Sequence, residues 1–451
     1  MHWDINLDKS SDIPLYRQLS HALTKLIATK ELAPNTKLPP IRQMARALDV
    51  NNTTVVSAYK DLERKTAVYS VVGSGTYVAS GAASLPAYNQ PVITDDYINF
   101  AHMATEAALF PVAAFKRAFN AVIDRDGAMA FSANHSGGYG PLRESICQML
   151  DGIRVSPGHI HLVSGAEQGM DILAGNLLAP GETVFVEPPA PYGAVAAFQH
   201  GRVNIVEMPM AKYGPDFDCL EALLKRHRPK IIYVTPNFRQ PVGTCYSAES
   251  KRRLLEFAST YDLHIIEEDQ LSDFYYDGNK RTPLKALDNE GRVIYIKKFP
   301  KILTQDIGIE FMVWPDNLPD IKPGNNISPP GYALRAFDYF LRNGDYEAHA
   351  ANMRSIYGRR YQKITAAART YLAPLADYEL PGGGLSLWVT PRVGNGEDYA
   401  EKFLQRKVVV SPGRLFGMGE WFRVSFAAVP EERIAEGIGV IAAVLSQFHK
   451  G

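Results

Sequence analysis

Leu38-Pro39-Pro40-Ile41-Arg42, followed by Val50-Asn51-Asn52-Thr53-Thr54-Val55 and Ala58-Tyr59, decides how the front of this chain is read. The run reads as two short helices joined by a tight turn. The second helix has a polar, threonine-rich N-terminus. That is how a helix-turn-helix presents a helix to a DNA groove.

Working outward, Leu15, Leu19, Leu23, Leu26 and Ile27 fall at helical spacing between residues 14 and 30. A second helix is predicted over 41–48, with Ile41, Met44, Ala45 and Leu48 on one face. A third is predicted over 52–65, with Val55, Tyr59 and Leu62 inward. Residues 68–72 and 76–78 flank Gly73-Ser74-Gly75 as a hairpin. Three helices and a hairpin make a winged helix-turn-helix, an α+β unit over residues 1–79.

Asn51, Asn52, Thr53 and Thr54 open the third helix, where free backbone N–H groups and the helix dipole favour a phosphate. Their side chains also suit base edges. Ser57 and Lys60 point away from the predicted core. Arg42 is placed for backbone phosphate, and Ser74 and Gly75 at the wing tip for the minor groove. Taken singly, Asn51 or Asn52 reads as a plain N-cap and Thr53-Thr54 as a first turn. The whole arrangement, with its wing, points to double-stranded DNA as a partner.

Residues 80–95 are rich in small residues and proline without periodicity, and read as a linker. Beyond it, from 96 to 451, apolar strands alternate with amphipathic helices. Strands are predicted at 161–163, 183–186, 203–206, 231–234, 264–266, 293–296 and 309–313. This spacing suits an α/β domain with a largely parallel sheet and helices on both faces. From about Gly344 the chain turns helical. A smaller α/β region follows, with strands near 385–389, 408–410 and 423–426.

Composition narrows the function classes. The 451 residues are 46% hydrophobic and 21% charged, ordinary values for a protein with a large core. The net charge of zero argues against a surface built for nonspecific nucleic-acid binding. Up to Ala79, ten Lys/Arg stand against seven Asp/Glu, so the front is mildly basic. Cys147, Cys219 and Cys245 are scattered without metal-ligand spacing, as suits a reducing cytosol. His135, His159 and His161 show no ligand spacing either. No stretch approaches the roughly 20 apolar residues of a membrane span, and no signal peptide is visible at Met1-His2-Trp3-Asp4. The expectation is a cytoplasmic protein with no metal and no membrane contact.

The front segment resembles the winged-helix domain of the GntR superfamily. The matching residues include Pro14-Leu15-Tyr16, Leu38-Pro39-Pro40-Ile41-Arg42, Val50-Asn51-Asn52-Thr53-Thr54-Val55, Leu62-Glu63 and Gly73-Ser74-Gly75-Thr76-Tyr77-Val78. That family often has Arg where this chain has Asn52. Losing the cation lowers phosphate affinity and salt dependence, or changes the operator read.

Gly165-Ala166-Glu167-Gln168 follows a predicted strand and opens a helix, a turn whose N–H groups can cradle a phosphate. With it stand Gly138-Tyr139-Gly140-Pro141-Leu142-Arg143, Glu187-Pro188-Pro189, Thr235-Pro236-Asn237-Phe238-Arg239-Gln240-Pro241-Val242-Gly243, Ile265-Ile266-Glu267-Glu268-Asp269, Phe299-Pro300-Lys301 and Phe422-Arg423-Val424-Ser425-Phe426-Ala427. Together these resemble the aspartate aminotransferase fold, fold type I of the transferases dependent on pyridoxal 5'-phosphate. Joined to a GntR-type reader, this is the layout of the MocR subfamily.

The resemblance implies roles. Lys301 aligns with the lysine that forms a Schiff base with the cofactor aldehyde. Glu268 aligns with the carboxylate that pairs with the pyridinium nitrogen. Gln270 and Tyr192 fall near the positions that touch the cofactor oxygen and stack on its ring, and Gly165, Ala166 and Glu167 at its phosphate. Arg423 aligns with the clamp for a substrate or effector carboxylate.

The same alignment shows departures. Lys297, Lys298 and Pro300 replace small and serine residues before Lys301. Gly308 stands where the family has its phosphate arginine, and Gln270 stands for a tyrosine. Glu268 is one methylene longer than the usual aspartate, and Pro191 displaces the stacking aromatic to Tyr192. Lys297 or Lys298 is a candidate to restore the phosphate charge.

The resemblance thus implies a homodimeric transcription regulator whose aminotransferase-like domain senses a metabolite, pyridoxal phosphate or an amino-acid-like effector. Two alternatives stay open: a regulator with a degenerate site that needs no pyridoxal phosphate, and a working aminotransferase.

Overall fold

The computed structural model describes residues 5, 7, 14–28, 32, 36–64, 68–71, 75–78, 96–103, 107–132, 138–190, 192–299, 308–321, 329–380 and 382–448. Two compact units divide the chain, Met1–Thr94 and Asp95–Gly451. The expected linker, 80–95, lies outside the described residues, as do Ser74 and Lys301.

In the first unit, α1 (Leu15–Ala28), α2 (Ile41–Ala47) and α3 (Asn52–Arg64) precede a hairpin of β1 (Val68–Val71) and β2 (Gly75–Val78). The heptad-like spacing of apolar residues drives the packing. Leu19, Leu23 and Ile27 of α1 meet Val55, Ala58 and Leu62 of α3, all fully buried. A buried Ser20 Oγ donates to Asp61 Oδ2 at 2.7 Å and ties the same two helices. Ile41 departs from the predicted inward stripe: it is 37% exposed, because Met44 and Ala45 alone fill the α2 face of the core.

The second unit opens with β3 (Ile98–Asn99), α4 (Val112–Asp126) and α5 (Gly140–Met149). There follow β4 (Ile160–Val163), α6 (Ala166–Leu177), β5 (Thr183–Val186), α7 (Tyr192–His200) and β6 (Asn204–Glu207). A small hairpin, β7 (Met210–Ala211) and β8 (Gly214–Pro215), leads to α8 (Phe217–His227), β9 (Ile231–Val234), α9 (Ala248–Thr260), β10 (His264–Asp269), β11 (Val293–Lys298) and β12 (Glu310–Val313). These strands form a seven-stranded sheet in the order β4-β12-β11-β10-β9-β5-β6. It is parallel except for β12, which runs against both neighbours.

Side chains alternate across each strand. Tyr233, Ile266, Ile294 and Ile296 face α6 and α7. Ile232, Val234, Ile265 and Val293 face α8 and α9. Toward the β4 edge, α4, α5 and α10 (Gly331–Arg342) cover the second face through Phe115, Leu142 and Phe337. The predicted strands lie within a few residues of those observed. The helical stretch expected from Gly344 begins earlier, at Gly331.

The chain then runs through α11 (Asp345–Ala367) into β13 (Ala376–Tyr378), β14 (Ser386–Pro391), α12 (Gly396–Gln405), β15 (Val408–Val409), β16 (Ser411–Pro412), β17 (Phe422–Ser425) and α13 (Ile434–Ser446). The small sheet has the order β13-β14-β17-β16. The strand expected at 408–410 does not join it: β15 pairs in parallel with β3.

Candidate functional site

The first candidate surface lies on the helix-turn-helix. Asp49 adopts φ +50°, the left-handed conformation that reverses the chain between α2 and α3. The Asn51 carbonyl accepts from the Thr54 and Val55 amides, so Asn51 caps α3. Val55, Ala58, Tyr59 and Leu62 point inward, which leaves Asn51, Asn52, Thr53, Ser57 and Lys60 exposed and Thr54 half-buried. Arg42 is exposed on α2. The Tyr59 hydroxyl donates to the Pro39 carbonyl at 2.7 Å and fixes the entry of α2 against α3. Gly75 is exposed with φ +129°.

Lys37, not singled out from the sequence, belongs to the same neighbourhood. It is exposed, bridges to Tyr77, and lies against Gly75. Its pairing with β2 is long-range, so no local pattern announces it.

The second candidate site lies at the carboxyl ends of the parallel strands, where ligands of open α/β sheets bind. Gly165 follows β4 with φ +104° and caps α6. The Ser164 amide donates to Gln168 Oε1 at 2.7 Å, so that donor is engaged within the chain. Ala166 and Glu167 open α6 and Tyr192 opens α7.

Glu268, near the end of β10, is 3% exposed. Lys298 Nζ lies 2.8 Å from its Oε1. Gln270 Nε2 donates to the same oxygen at 2.5 Å, and the Tyr233 hydroxyl donates to Oε2 at 2.5 Å. Burial pushes this carboxyl up, but Lys298 and the hydrogen bonds outweigh it and hold the pKa below the usual range. Strand parity explains the grouping. Tyr233, Glu268 and Lys298 continue the stripe of Ile266, Ile294 and Ile296 on the α6/α7 face.

Lys297, one residue back, points to the opposite face. It meets Asp269 at 3.1 Å, Asp273 at 2.8 Å and Ser272 Oγ at 2.8 Å. Burial lowers its pKa, but the two aspartates overcompensate and raise it. Neither lysine therefore takes the phosphate role considered for it: Lys297 is on the wrong face and Lys298 is bound to Glu268. Gly308, at the phosphate-arginine position, adopts φ +41°, a conformation that an arginine side chain disfavours.

Arg423 sits on β17 opposite Trp388. Its Nη2 donates to the Ala101 carbonyl and to Ser411 Oγ, each at 3.0 Å. The guanidinium also lies 5.1 Å from the Phe416 ring centroid. Its Nε is buried without a partner, and among the described residues no carboxylate pairs with it. Burial pushes its pKa down to about 10.

Gln240, in the loop after β9, was not singled out from the sequence. Both of its amide atoms are buried and unpartnered among the described residues. It lies in the Thr235 to Gly243 run that the sequence already marked. His159 Nδ1 pairs with Asp316 at 3.2 Å, and burial takes His161 down to about 4. No group of three or more metal-ligating side chains occurs among the described residues.

Pyridoxal phosphate can be tested against these residues. The carboxylate for its ring nitrogen already holds an ammonium, an amide and a phenol. The phosphate end lacks its arginine, and a nearby amide is engaged by Gln168. The donor set does not fit the group.

Among the described residues no helix is long and apolar enough to cross a membrane. Residues 15–78 match the gntR family of bacterial regulatory proteins. Residues 101–296 and 334–441 match aminotransferase class I and II, a family that depends on pyridoxal phosphate. The HTH-type transcriptional regulator YdfD of Bacillus subtilis is 26% identical over 98% of both chains. The probable rhizopine catabolism regulatory protein MocR of Rhizobium meliloti is 27% identical, over 84% of this chain and 82% of its own. LysN, an α-aminoadipate aminotransferase of Thermus thermophilus solved with N-(5'-phosphopyridoxyl)-L-leucine, is 25% identical with a TM-score of 0.71. That match covers 79% of this chain and 94% of LysN. The chain belongs to the aminotransferase class I and II family and, with its GntR-type reader, to the MocR type of transcriptional regulator.

Proposed function

We propose that this regulator reads operator DNA with the exposed face of α3 and senses a small carboxylate through Arg423. Asn51, Asn52, Thr53, Thr54, Ser57 and Lys60 contact the groove, Arg42 contacts phosphate, and the wing at Ser74 and Gly75 lies alongside. The reader spans residues 1–79 and the sensing domain 96–451, joined by a linker at 80–95. The protein acts in the cytosol as a homodimer, so two readers share one operator and gain affinity through effective concentration.

One observation carries the sensing half. Arg423 is half-buried, with a buried, unpartnered Nε and no acid beside it among the described residues. A planar fork of this kind suits bidentate binding of a carboxylate. The ligand regulates by binding two arrangements of the readers with different free energies.

Gel-shift titration with DNA from the gene's own upstream region tests the DNA half. A thermal-shift panel of amino acids and 2-oxo acids, repeated with Arg423→Met, tests the sensing half. Indifference of both proteins to every acid in the panel refutes the role of Arg423.

A further inference from the structure

The carboxylate at the Glu268 position of an aminotransferase faces a cationic ring N–H. Here a cationic N–H supplied by the chain faces it, Lys298 Nζ at 2.8 Å. Gln270 donates to the same Oε1 and Tyr233 to Oε2, each at 2.5 Å. We propose that Lys298 is a built-in substitute for the pyridinium of the cofactor, so that this body takes its carboxylate effector directly, without pyridoxal phosphate. The effector half rests on the Arg423 reading above; the lysine half stands apart from it.

Three features of the fold support the substitution. The first is placement. Lys298 continues the Ile294 and Ile296 stripe on β11, and Glu268 continues Ile266 on the adjacent β10, so the parallel register sets the two side chains on one face. The second is charge. An ammonium and a protonated pyridine are both cationic N–H donors, and either one neutralises a buried carboxylate. With Lys298 present, the acid has no deficit left for a cofactor to fill.

The third feature is the phosphate end. Gly308 brings no cation there, and its φ of +41° disfavours one being substituted. A cofactor entering this site must break a buried ion pair and leave the lysine without its acid. Breaking a buried pair costs at least about 3 kcal/mol, which is roughly a hundredfold in affinity. Among the described residues, the phosphate-arginine position is Gly308, which supplies no cation to recover that loss. The Arg423 Nε and the Gln240 amide are among the buried side-chain groups left without a partner in the described residues. The Arg423 fork, with no acid beside it among the described residues, calls for a small carboxylate rather than for a phosphorylated ring.

The test uses the purified full-length chain. It is incubated with excess pyridoxal phosphate, reduced with borohydride, desalted and mapped by peptide mass spectrometry. The expected result is no stoichiometric phosphopyridoxyl group on Lys301, with operator affinity unchanged within about twofold of the untreated protein. Stoichiometric labelling of Lys301 overturns the proposal.

Lys298→Met, Glu268→Gln and the double variant give an independent arm. Each single change removes one charge of the pair and leaves the other uncompensated, and is expected to lower the melting midpoint by several degrees. The double change is expected to recover most of that loss. Simple addition of the two losses overturns the substitution. Should Lys298→Met not fold, the labelling of the wild-type chain still decides. If labelling is absent and the pair couples while no amino or oxo acid stabilises the wild type, the Lys298 assignment holds and the effector reading fails.

Discussion

Replacing Arg423 with methionine separates a sensing arginine from a structural one. Burial lowers the pKa of this group from 12.5 to about 10, which corresponds to roughly 3 kcal/mol of unrecovered desolvation in the ligand-free protein. Methionine removes that penalty and keeps most of the apolar stem. It also deletes the hydrogen bonds to Ala101 and Ser411. Bonds from a charged donor contribute about 1.5–3 kcal/mol each, so their loss offsets the gain. The net change in folding free energy is expected to lie between about zero and about 3 kcal/mol of destabilisation. A guanidinium held in a buried ion pair behaves differently, since removing one partner costs about 3–5 kcal/mol. Urea unfolding of both proteins measures the difference. The same variant is expected to bind the effector carboxylate at least about a hundredfold more weakly, because the charge-assisted fork is gone. A loss of stability above about 3 kcal/mol, or an undiminished thermal shift with the effector, refutes the reasoning.

Five further outcomes follow from the geometry. Lys60→Ala is expected to lower the slope of log K against log salt for operator binding by about 1, and Asn52→Arg to raise it by about 1, in gel-shift titrations at several salt concentrations. Tyr59→Phe leaves the Pro39 carbonyl without its donor and is expected to cost about 1 kcal/mol, read by urea unfolding of the full chain as a lower midpoint for the first unit. Glu267 is pushed up from 4.5 to about 7 by burial, so the native state holds its proton more tightly than the unfolded state. Stability from this group is full below pH 4.5 and falls by up to about 3 kcal/mol as pH rises to 7; Glu267→Gln is expected to remove that fall. His161, taken from 6.5 down to about 4 by burial, has the opposite sign. Its contribution is lost as pH drops through that window, and His161→Gln is expected to flatten the acid limb of the stability curve.

The fold was legible because its signals are local. The stripe of Leu19, Leu23 and Ile27 is set by helical spacing, and the buried runs of the central strands by their apolar residues. Strand direction is a different matter. Nothing in Glu310-Phe311-Met312-Val313 says that it runs against its neighbours, since an apolar run reads the same in either direction. The pairing of Val408 with Ile98 is equally silent, because it joins residues at opposite ends of the domain. Ile41 misled for a related reason. Helical periodicity says which residues share a face, but a short helix with Met44 and Ala45 inward has no room for a further apolar side chain in the core.

The candidate site was legible in its positions and not in its partners. Aligning Glu268 and Arg423 with a known fold assigns each a place, but the chemistry of a place depends on what else reaches it. Lys297 and Lys298 look interchangeable in sequence, and both were candidates for a phosphate. The pleat separates them: successive residues of a strand face opposite sides, so one lysine joins Asp269 and Asp273 while the other joins Glu268. That parity was available from the sequence once the register of β10 and β11 was assumed. Applied to Tyr233, it also places a phenol on the same side as Glu268. The departures from the aminotransferase pattern are therefore not independent losses. The lysine that replaces a small residue and the glutamine that replaces a tyrosine meet on one carboxylate and satisfy it. A site decaying at random leaves buried charges unpaired at a cost of several kcal/mol each. This one has been re-paired at Glu268 and left open at Arg423, the pattern expected of a pocket that has changed its ligand.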